Sequence, residues 1–138
     1  MQTLSDHILD IAQNSIRAQA SRVEIDQQEN ITEYSLVITI RDNGCGMDEA
    51  TAAKVTDPFF TSRTVRKVGL GIPLFKQNAE ATGGSLKITS KTGEGTTIEA
   101  KFGLSHWDRP PLGDVAGSIM ILVSANPGID FSYHHVTE

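Results

Sequence analysis

Glycine falls in four close pairs, Gly44-x-Gly46, Gly69-x-Gly71, Gly83-Gly84 and Gly93-x-Gly95, and each pair stands between stretches of helical or strand periodicity. Such pairs mark places where the backbone turns tightly or is approached closely, so the chain must alternate regular elements with special loops. Taken singly, each pair is a turn. None forms a phosphate loop, because no G-x-x-x-x-G-K-S/T run occurs, and none has G-x-G-x-x-G opening a helix after a strand, so a dinucleotide fold is weakly supported. The informative feature is the order of the pairs relative to three polar residues, Asp10, Asn14 and Asp42.

Between these landmarks the pattern is legible. Ser5 reads as a helix N-cap, with Asp6 adding negative charge to the first turn. Leu4, Ile8, Ile11, Ala12 and Ile16 recur at helical spacing, and this helix is expected to end near Ala20-Ser21. Val23 and Ile25 alternate with polar neighbours as a short strand, Gln27 to Thr32 read as a turn, and residues 34–41 as a second strand. Asp48 can cap a short helix reaching about Val55. Residues 57–71 show no period and read as a mobile loop. A helix follows with Pro73 in its first turn and Gly83-Gly84 just past its end. Leu86 and Ile88 mark a third strand, Thr92 to Gly95 a hairpin turn, and Ile98, Ala100 and Phe102 a fourth strand. A linker is expected at 104–113. Asp114 can cap a helix through about Ala125, and Ile129, Phe131 and Tyr133 alternate as an edge strand. The domain is therefore drawn at 1–103, with residues 114–138 as a C-terminal helix and strand. One helix and one strand cannot bury a core alone, so this piece must pack on the domain, pair with another chain, or belong to a longer protein.

Composition removes several classes of function. Twelve Lys plus Arg against 17 Asp plus Glu leave a net charge of −5 among 138 residues, which gives no overall electrostatic footprint for duplex DNA or an anionic membrane. The local basic cluster Arg63, Arg66, Lys67 lacks interleaved aromatics, so it suits phosphate better than nucleic acid. A single cysteine, Cys45, excludes an intrachain disulfide framework, makes a cysteine-ligated zinc site a poor fit, and accords with a reducing cytoplasm. The first residues lack the basic and apolar regions of a secretory signal, and the apolar run Ile119 to Val123 is too short for a membrane span. His134 and His135 are adjacent, so on a strand they face opposite sides and make a poor pair of metal ligands.

Asp10 and Asn14 are four apart and share one helix face. The Asn14 carbonyl is a hard oxygen donor suited to Mg²⁺ that also holds phosphates; the alternative is a solvated polar face. Asp42 ends a strand and enters the first glycine pair. A carboxylate there can accept from an exocyclic amine such as that of adenine, beside glycines that let a flat ring approach; the alternative is an Asx-turn.

These residues carry a resemblance. Asp10-Ile11-Ala12-Gln13-Asn14-Ser15-Ile16-Arg17-Ala18 resembles the N box of the GHKL ATPase superfamily, which spans gyrase, heat-shock chaperones, histidine kinases and mismatch-repair ATPases. The flanking Ala20 to Ile25 resembles the mismatch-repair branch. Asp42-Asn43-Gly44-Cys45-Gly46-Met47 resembles the first glycine box, Asp57-Pro58-Phe59-Phe60-Thr61-Ser62-Arg63 the F box of histidine kinases, Gly69-Leu70-Gly71-Ile72 the second glycine box, and Gly95-Thr96-Thr97 the last box. The match runs over roughly residues 4–103, with the boxes in order.

The resemblance implies an α/β two-layer sandwich of the Bergerat type, a mixed β-sheet with helices on one face, binding ATP with Mg²⁺. It implies that Asn14 ligates Mg²⁺, that Asp42 takes the adenine amine, and that Gly44, Gly46 and Met47 line the adenine pocket. Phe60 and Thr61 of the F box would contact nucleotide. Residues 57–71 would form a lid over the phosphates, with Gly69, Leu70 and Gly71 against them, and Arg63 reaching the γ-phosphate. Thr97 would sit at the pocket floor near Asp42. Lys67 stands where the family has a glycine and is a candidate phosphate contact. Asp10 stands where hydrolytic members carry the Glu that activates water; Asp is competent but one methylene shorter. No helix with a phosphoacceptor histidine precedes the match, and His7 reads as a surface or packing residue. The expectation is a free-standing, cytoplasmic, Mg²⁺-dependent ATP-binding domain acting as a slow ATPase and nucleotide-gated switch. The alternatives are a kinase passing the γ-phosphate to a separate partner, or a non-catalytic nucleotide-dependent module. A protein partner or second protomer is expected at the C-terminal segment; nucleic acid and membrane are not.

Overall fold

In the first helix, α1 (Leu4–Arg17), Leu4, Ile8, Ile11 and Ser15 come at steps of four, three and four residues, and all are buried along one stripe. The computed structural model describes residues 4–30, 35–54, 71–103 and 115–137. The helix is already under way at Leu4, so Ser5 is a buried residue of its first turn and not its cap. It ends at Arg17, three residues earlier than expected. Gln19 takes the left-handed conformation (φ 63°), and the Ala20 N–H closes back on the Ser15 carbonyl at 3.1 Å. This is a Schellman-type ending, in which the left-handed residue stops the helix and satisfies its last carbonyls.

Five strands follow: β1 (Arg22–Asn30), β2 (Ser35–Asp42), β3 (Ser85–Lys91), β4 (Gly95–Gly103) and β5 (Asp130–Thr137). They form one sheet in the order β3-β4-β2-β1-β5. Neighbours are antiparallel except β5, which runs parallel to β1. The sheet is therefore mixed, as expected. The turn expected at Gln27 to Thr32 is corrected in part: Gln27 to Asn30 belong to β1. Gln27 is fully buried, accepts from the Tyr133 hydroxyl at 3.0 Å, and donates to Glu29 at 3.2 Å. A polar residue is held in the strand by a partner 106 positions away, which local pattern cannot reveal.

The remaining helices among the described residues are α2 (Glu49–Lys54), α3 (Gly71–Ala81) and α4 (Val115–Ala125). Asp48 caps α2 by accepting from the Thr51 N–H at 2.7 Å, a bond that also holds its carboxyl below the ordinary range. Pro73 lies in the first turn of α3, and Gly83 ends it in a left-handed turn (φ 81°). Helices α1 and α3 cover one face of the sheet. There Ile25, Ile38, Ile40, Ala100 and Phe102 meet Ile8, Ile11 and Phe75, whose ring lies tilted against that of Phe102 with centres 5.7 Å apart. The alternation in β1, β2 and β4 places these apolar side chains on the helix side and Glu24, Thr39 and Glu99 on the open side.

His7 is a packing residue. It is fully buried between α1 and α3, stacked on Phe75 with ring centres 5.1 Å apart, with Nε2 2.6 Å from the Asn78 amide and Nδ1 without a partner. Burial pushes its pKa below the ordinary 6.5, against the opposing pull of Asp10 and Asp6. Below 6.5 the unfolded chain takes up a proton that the folded chain resists, so stability holds above that pH and falls as pH drops toward the lowered folded value. Chemical denaturation at stepped pH should show this loss, and His7→Phe should flatten it.

Candidate functional site

Four elements converge at one end of the helix-covered face. The C-terminal half of α1 brings Ile11, Asn14 and Ser15. The end of β2 brings Asp42, the loop after it brings Cys45, Gly46 and Met47, and Ile72 of α3 and Thr96 and Ile98 of β4 close the walls. They enclose a cavity of about 270 Å³, mostly apolar. That is near the small end of ligand pockets, a size suited to one flat heterocycle rather than a whole nucleotide.

The Asp42 carboxylate is anchored from both sides. Ser15 donates its hydroxyl to Oδ2 at 2.6 Å, and the Gly44 N–H donates to Oδ1 at 2.9 Å. The second bond is the Asx-type turn of the alternative reading. It does not exclude the first reading, because each carboxylate oxygen has two lone pairs and a further donor can be accepted. Ser15 is a site residue that sequence reasoning missed. The signal was available: it lies one turn beyond Ile11 on the core stripe of α1, where a hydroxyl needs a polar partner.

The loop carrying the first glycine pair is shaped by close approaches. A side chain at Gly44 would place a Cβ 2.8 Å from the Ala18 carbonyl oxygen. Gly46 is left-handed (φ 70°), and a Cβ there would collide with the Lys91 carbonyl. Both positions thus require glycine for the loop to sit between α1 and the β3–β4 hairpin. The Cys45 N–H bonds the Ala18 carbonyl at 2.9 Å, and the Met47 N–H bonds Ser90 Oγ at 2.8 Å. These bonds fix Met47 on the cavity wall.

Register corrects one expected residue. Asp42 pairs across the sheet with Thr96, and Thr96 lines the cavity. Thr97 pairs with Arg41 and faces a hollow of about 400 Å³ on the open side of the sheet, beside the exposed Arg41–Glu24 ion pair at 3.1 Å. Successive strand residues point to opposite faces, so the box is right in sequence but its inward member is Thr96.

Asn14 lines the cavity with its Nδ2 buried and unpartnered, while Oδ1 accepts from Arg17 at 3.0 Å. Among the described residues no group of three or more His, Cys, Asp or Glu is placed to hold a metal alone. A Mg²⁺ ion here would take one amide oxygen from Asn14 and the rest of its shell from phosphates and water, which is how this ion commonly binds. The amide has to release Arg17 to do so, and its orphaned nitrogen leaves it ill-satisfied as it stands. The donor set fits the ion. Asn14→Ala should therefore abolish the Mg²⁺ dependence of ATP binding in isothermal titration; unchanged dependence would remove the ligand assignment. Asp10 lies one helical turn before Asn14, half-buried, and is not on the cavity wall. Gly71 opens α3. Phe60, Thr61, Arg63, Lys67, Gly69 and Leu70, and with them the expected lid, lie outside the described residues.

Residues 2–106 match the model of a family described as histidine kinase-, DNA gyrase B- and HSP90-like ATPases. The chain is 33% identical over 111 residues to a putative sensor protein of Shewanella frigidimarina, covering 78% of this chain and 17% of that one. It is 33% identical over 96 residues to the signal transduction histidine-protein kinase AtoS of Escherichia coli (69% and 16%). It is 36% identical over 94 residues to the sensor protein kinase FleS of Pseudomonas aeruginosa (68% and 23%). The chain thus spans less than a quarter of the length of these relatives. Among solved structures, the N-terminal domain of a DNA repair protein superposes with a TM-score of 0.67 at 17% identity, covering 99% of this chain and 50% of that one. At that identity the likeness concerns the fold.

Proposed function

Since the chain belongs to the family of histidine kinase-, DNA gyrase B- and HSP90-like ATPases and carries its kinase-like ATP-binding domain, we propose that it works as a Mg²⁺-dependent, slow ATPase whose nucleotide state switches a protein contact. The observation that carries the reading is the anchored Asp42 carboxylate on the wall of an apolar, ring-sized cavity beside Asn14. Adenine fits by giving its amine to Asp42 and its faces to Met47, Ile72 and Ile98. The phosphates would then lie outside the cavity, between Asn14 and the start of α3. There the first N–H groups of an 11-residue helix lack helical carbonyl partners and attract negative charge. Mg²⁺, when bound, would neutralise phosphate charge and fix phosphate orientation. Asp10, on the same face of α1 as Asn14, would take the proton of the attacking water.

A second reading keeps the nucleotide site and changes the acceptor. Two of the relatives above are named as kinases, which favours transfer of the γ-phosphate to a separate protein. Transfer of that kind rests on positioning and charge, and Asp10 is then not needed to activate water. In either reading the C-terminal helix and strand are the docking place for a protein partner or second protomer, and the cytoplasm, with its ATP and reduced thiols, is the compartment. Among the described residues no helix is long and apolar enough to cross a membrane. Incubation with γ-labelled ATP and Mg²⁺, alone and with cell lysate, separates the readings. Free phosphate supports the ATPase, label on a lysate protein supports the kinase, and neither outcome leaves a binding module.

A further inference from the structure

The two edges of the sheet are built differently. The β3 edge carries Lys87 and Lys91 on a short strand and has α2 packed beside it. Lysines and cover of this kind are what keep an edge from pairing with another chain. The β5 edge carries no Lys, and the helix in contact with it is α4. Its eight residues run in unbroken register with β1 from Asp130 to Thr137, without Pro, Lys or bulge. It is also stiffened from its inner side: Tyr133 bonds Gln27, His135 lies 2.9 Å from Glu29, and His134 lies 3.3 Å from Asp26. A rigid, continuous strand with its outer hydrogen-bonding groups facing no described strand is a template for strand addition.

Helix α4 flanks the same edge, in contact with both α1 and β5. Its inner stripe, Val115 and Leu122 with Ile119 half-buried, is spent on the core. Its other side presents Met120 at 67% exposure, Ile121 at 63% and Val123 at 44%. Three large apolar side chains exposed on the helix that contacts β5 have the composition of an interface centre.

We propose that this surface pairs with a second copy of the chain, β5 against β5 in antiparallel sense and α4 against α4, so that two five-stranded sheets become one. The occupant is chosen by complementarity. When a two-fold axis passes through Ser132, Asp130 of each copy stands opposite His134 of the other, and Phe131 stands opposite Tyr133. One face of the seam then carries two acid–imidazole pairs and the other two aromatic pairs, cross-strand combinations that stabilise a sheet. His134 meets Asp26 through Nδ1, so its other ring nitrogen remains as the group to meet Asp130. An isologous contact of this kind closes on itself and needs no further partner. The proposal deepens the docking role given above to the C-terminal segment and does not depend on what happens to ATP.

The test uses the whole chain. Sedimentation velocity over a concentration series should give a dimer, and Ile121→Glu should weaken self-association by roughly tenfold or more, because a charge is forced into the apolar centre. Met120→Glu is the second variant, should Ile121→Glu fold poorly. Register is read by Ser132→Cys in a Cys45→Ser background. Residues directly opposite on antiparallel strands have Cβ atoms about 4.5–5.5 Å apart, close enough for a disulfide after small adjustment. Mild oxidation should link Ser132→Cys into a covalent dimer, while a cysteine placed at Glu80, on α3, should not link. A parent chain that sediments as a monomer throughout, or a Ser132→Cys variant that links no faster than the Glu80→Cys control, overturns the proposal. Titration of the same samples with Mg²⁺-ATP is scored separately, so failure of the dimer and failure of the nucleotide reading are distinguishable.

Discussion

Asp10→Asn is expected to lower phosphate release from Mg²⁺-ATP by roughly 10²–10⁴-fold while leaving ATP affinity nearly unchanged, the usual contribution of a positioned general base. Asp10 and Asn14 lie one turn apart on α1, so a base at Asp10 and a metal-bound phosphate group at Asn14 share a helix face. The amide of Asn has almost the shape of the carboxylate but cannot take a proton, so the substitution isolates the chemistry from the packing. Asp10 is not on the cavity wall, which is why affinity should survive. Asp10→Glu adds a methylene and should speed hydrolysis if reach is what limits it. In a kinase the acceptor side chain replaces water, and Asp10→Asn would alter transfer only modestly, through the placement of Asn14. Equal rates of phosphate release from the parent and Asp10→Asn, measured under saturating ATP, would remove the hydrolytic mechanism and favour the kinase or binding-module reading.

Asp42→Ala should weaken ATP binding by roughly 10- to 150-fold and erase the preference for ATP over GTP, since a hydrogen bond to a charged group contributes ~1.5–3 kcal/mol. The same change frees the Ser15 hydroxyl and the Gly44 N–H, so part of the loss reflects a loosened loop. Ser15→Ala separates the two effects. It removes the 2.6 Å bond behind Asp42 but leaves the carboxylate, so it should lower affinity without abolishing adenine selectivity. A variant of Asp42 that still discriminates ATP from GTP as the parent does would reduce Asp42 to a turn residue.

Residues that act locally were the legible ones. The core stripe of α1, the alternation of β2 and β4 and the Gly83 ending of α3 each follow from period or backbone freedom, and the structure places them as read. What escaped depends on distant partners. Gln27 looks like a turn residue until β5 supplies Tyr133. The early end of α1 rests on Gln19 in a left-handed conformation, which the sequence marks far less clearly than a glycine would. In the site, Asn14, Asp42, Gly44, Gly46 and Met47 come together as their boxes suggest. Thr97 did not, because a motif gives residue order and only sheet register decides which of two adjacent threonines faces inward. The position of Ser15 on the core stripe of α1 was legible, but its partner Asp42, 27 residues away, was not.

Calorimetric titration of the parent chain with ATP and with GTP, each with and without Mg²⁺, tests the nucleotide site most directly. The expected result is saturable binding of Mg²⁺-ATP, with GTP weaker by roughly tenfold or more, as loss of the charged hydrogen bond to Asp42 requires, and with ATP affinity falling when Mg²⁺ is removed. Equal affinity for ATP and GTP, or ATP binding indifferent to Mg²⁺, would contradict the roles given to Asp42 and Asn14.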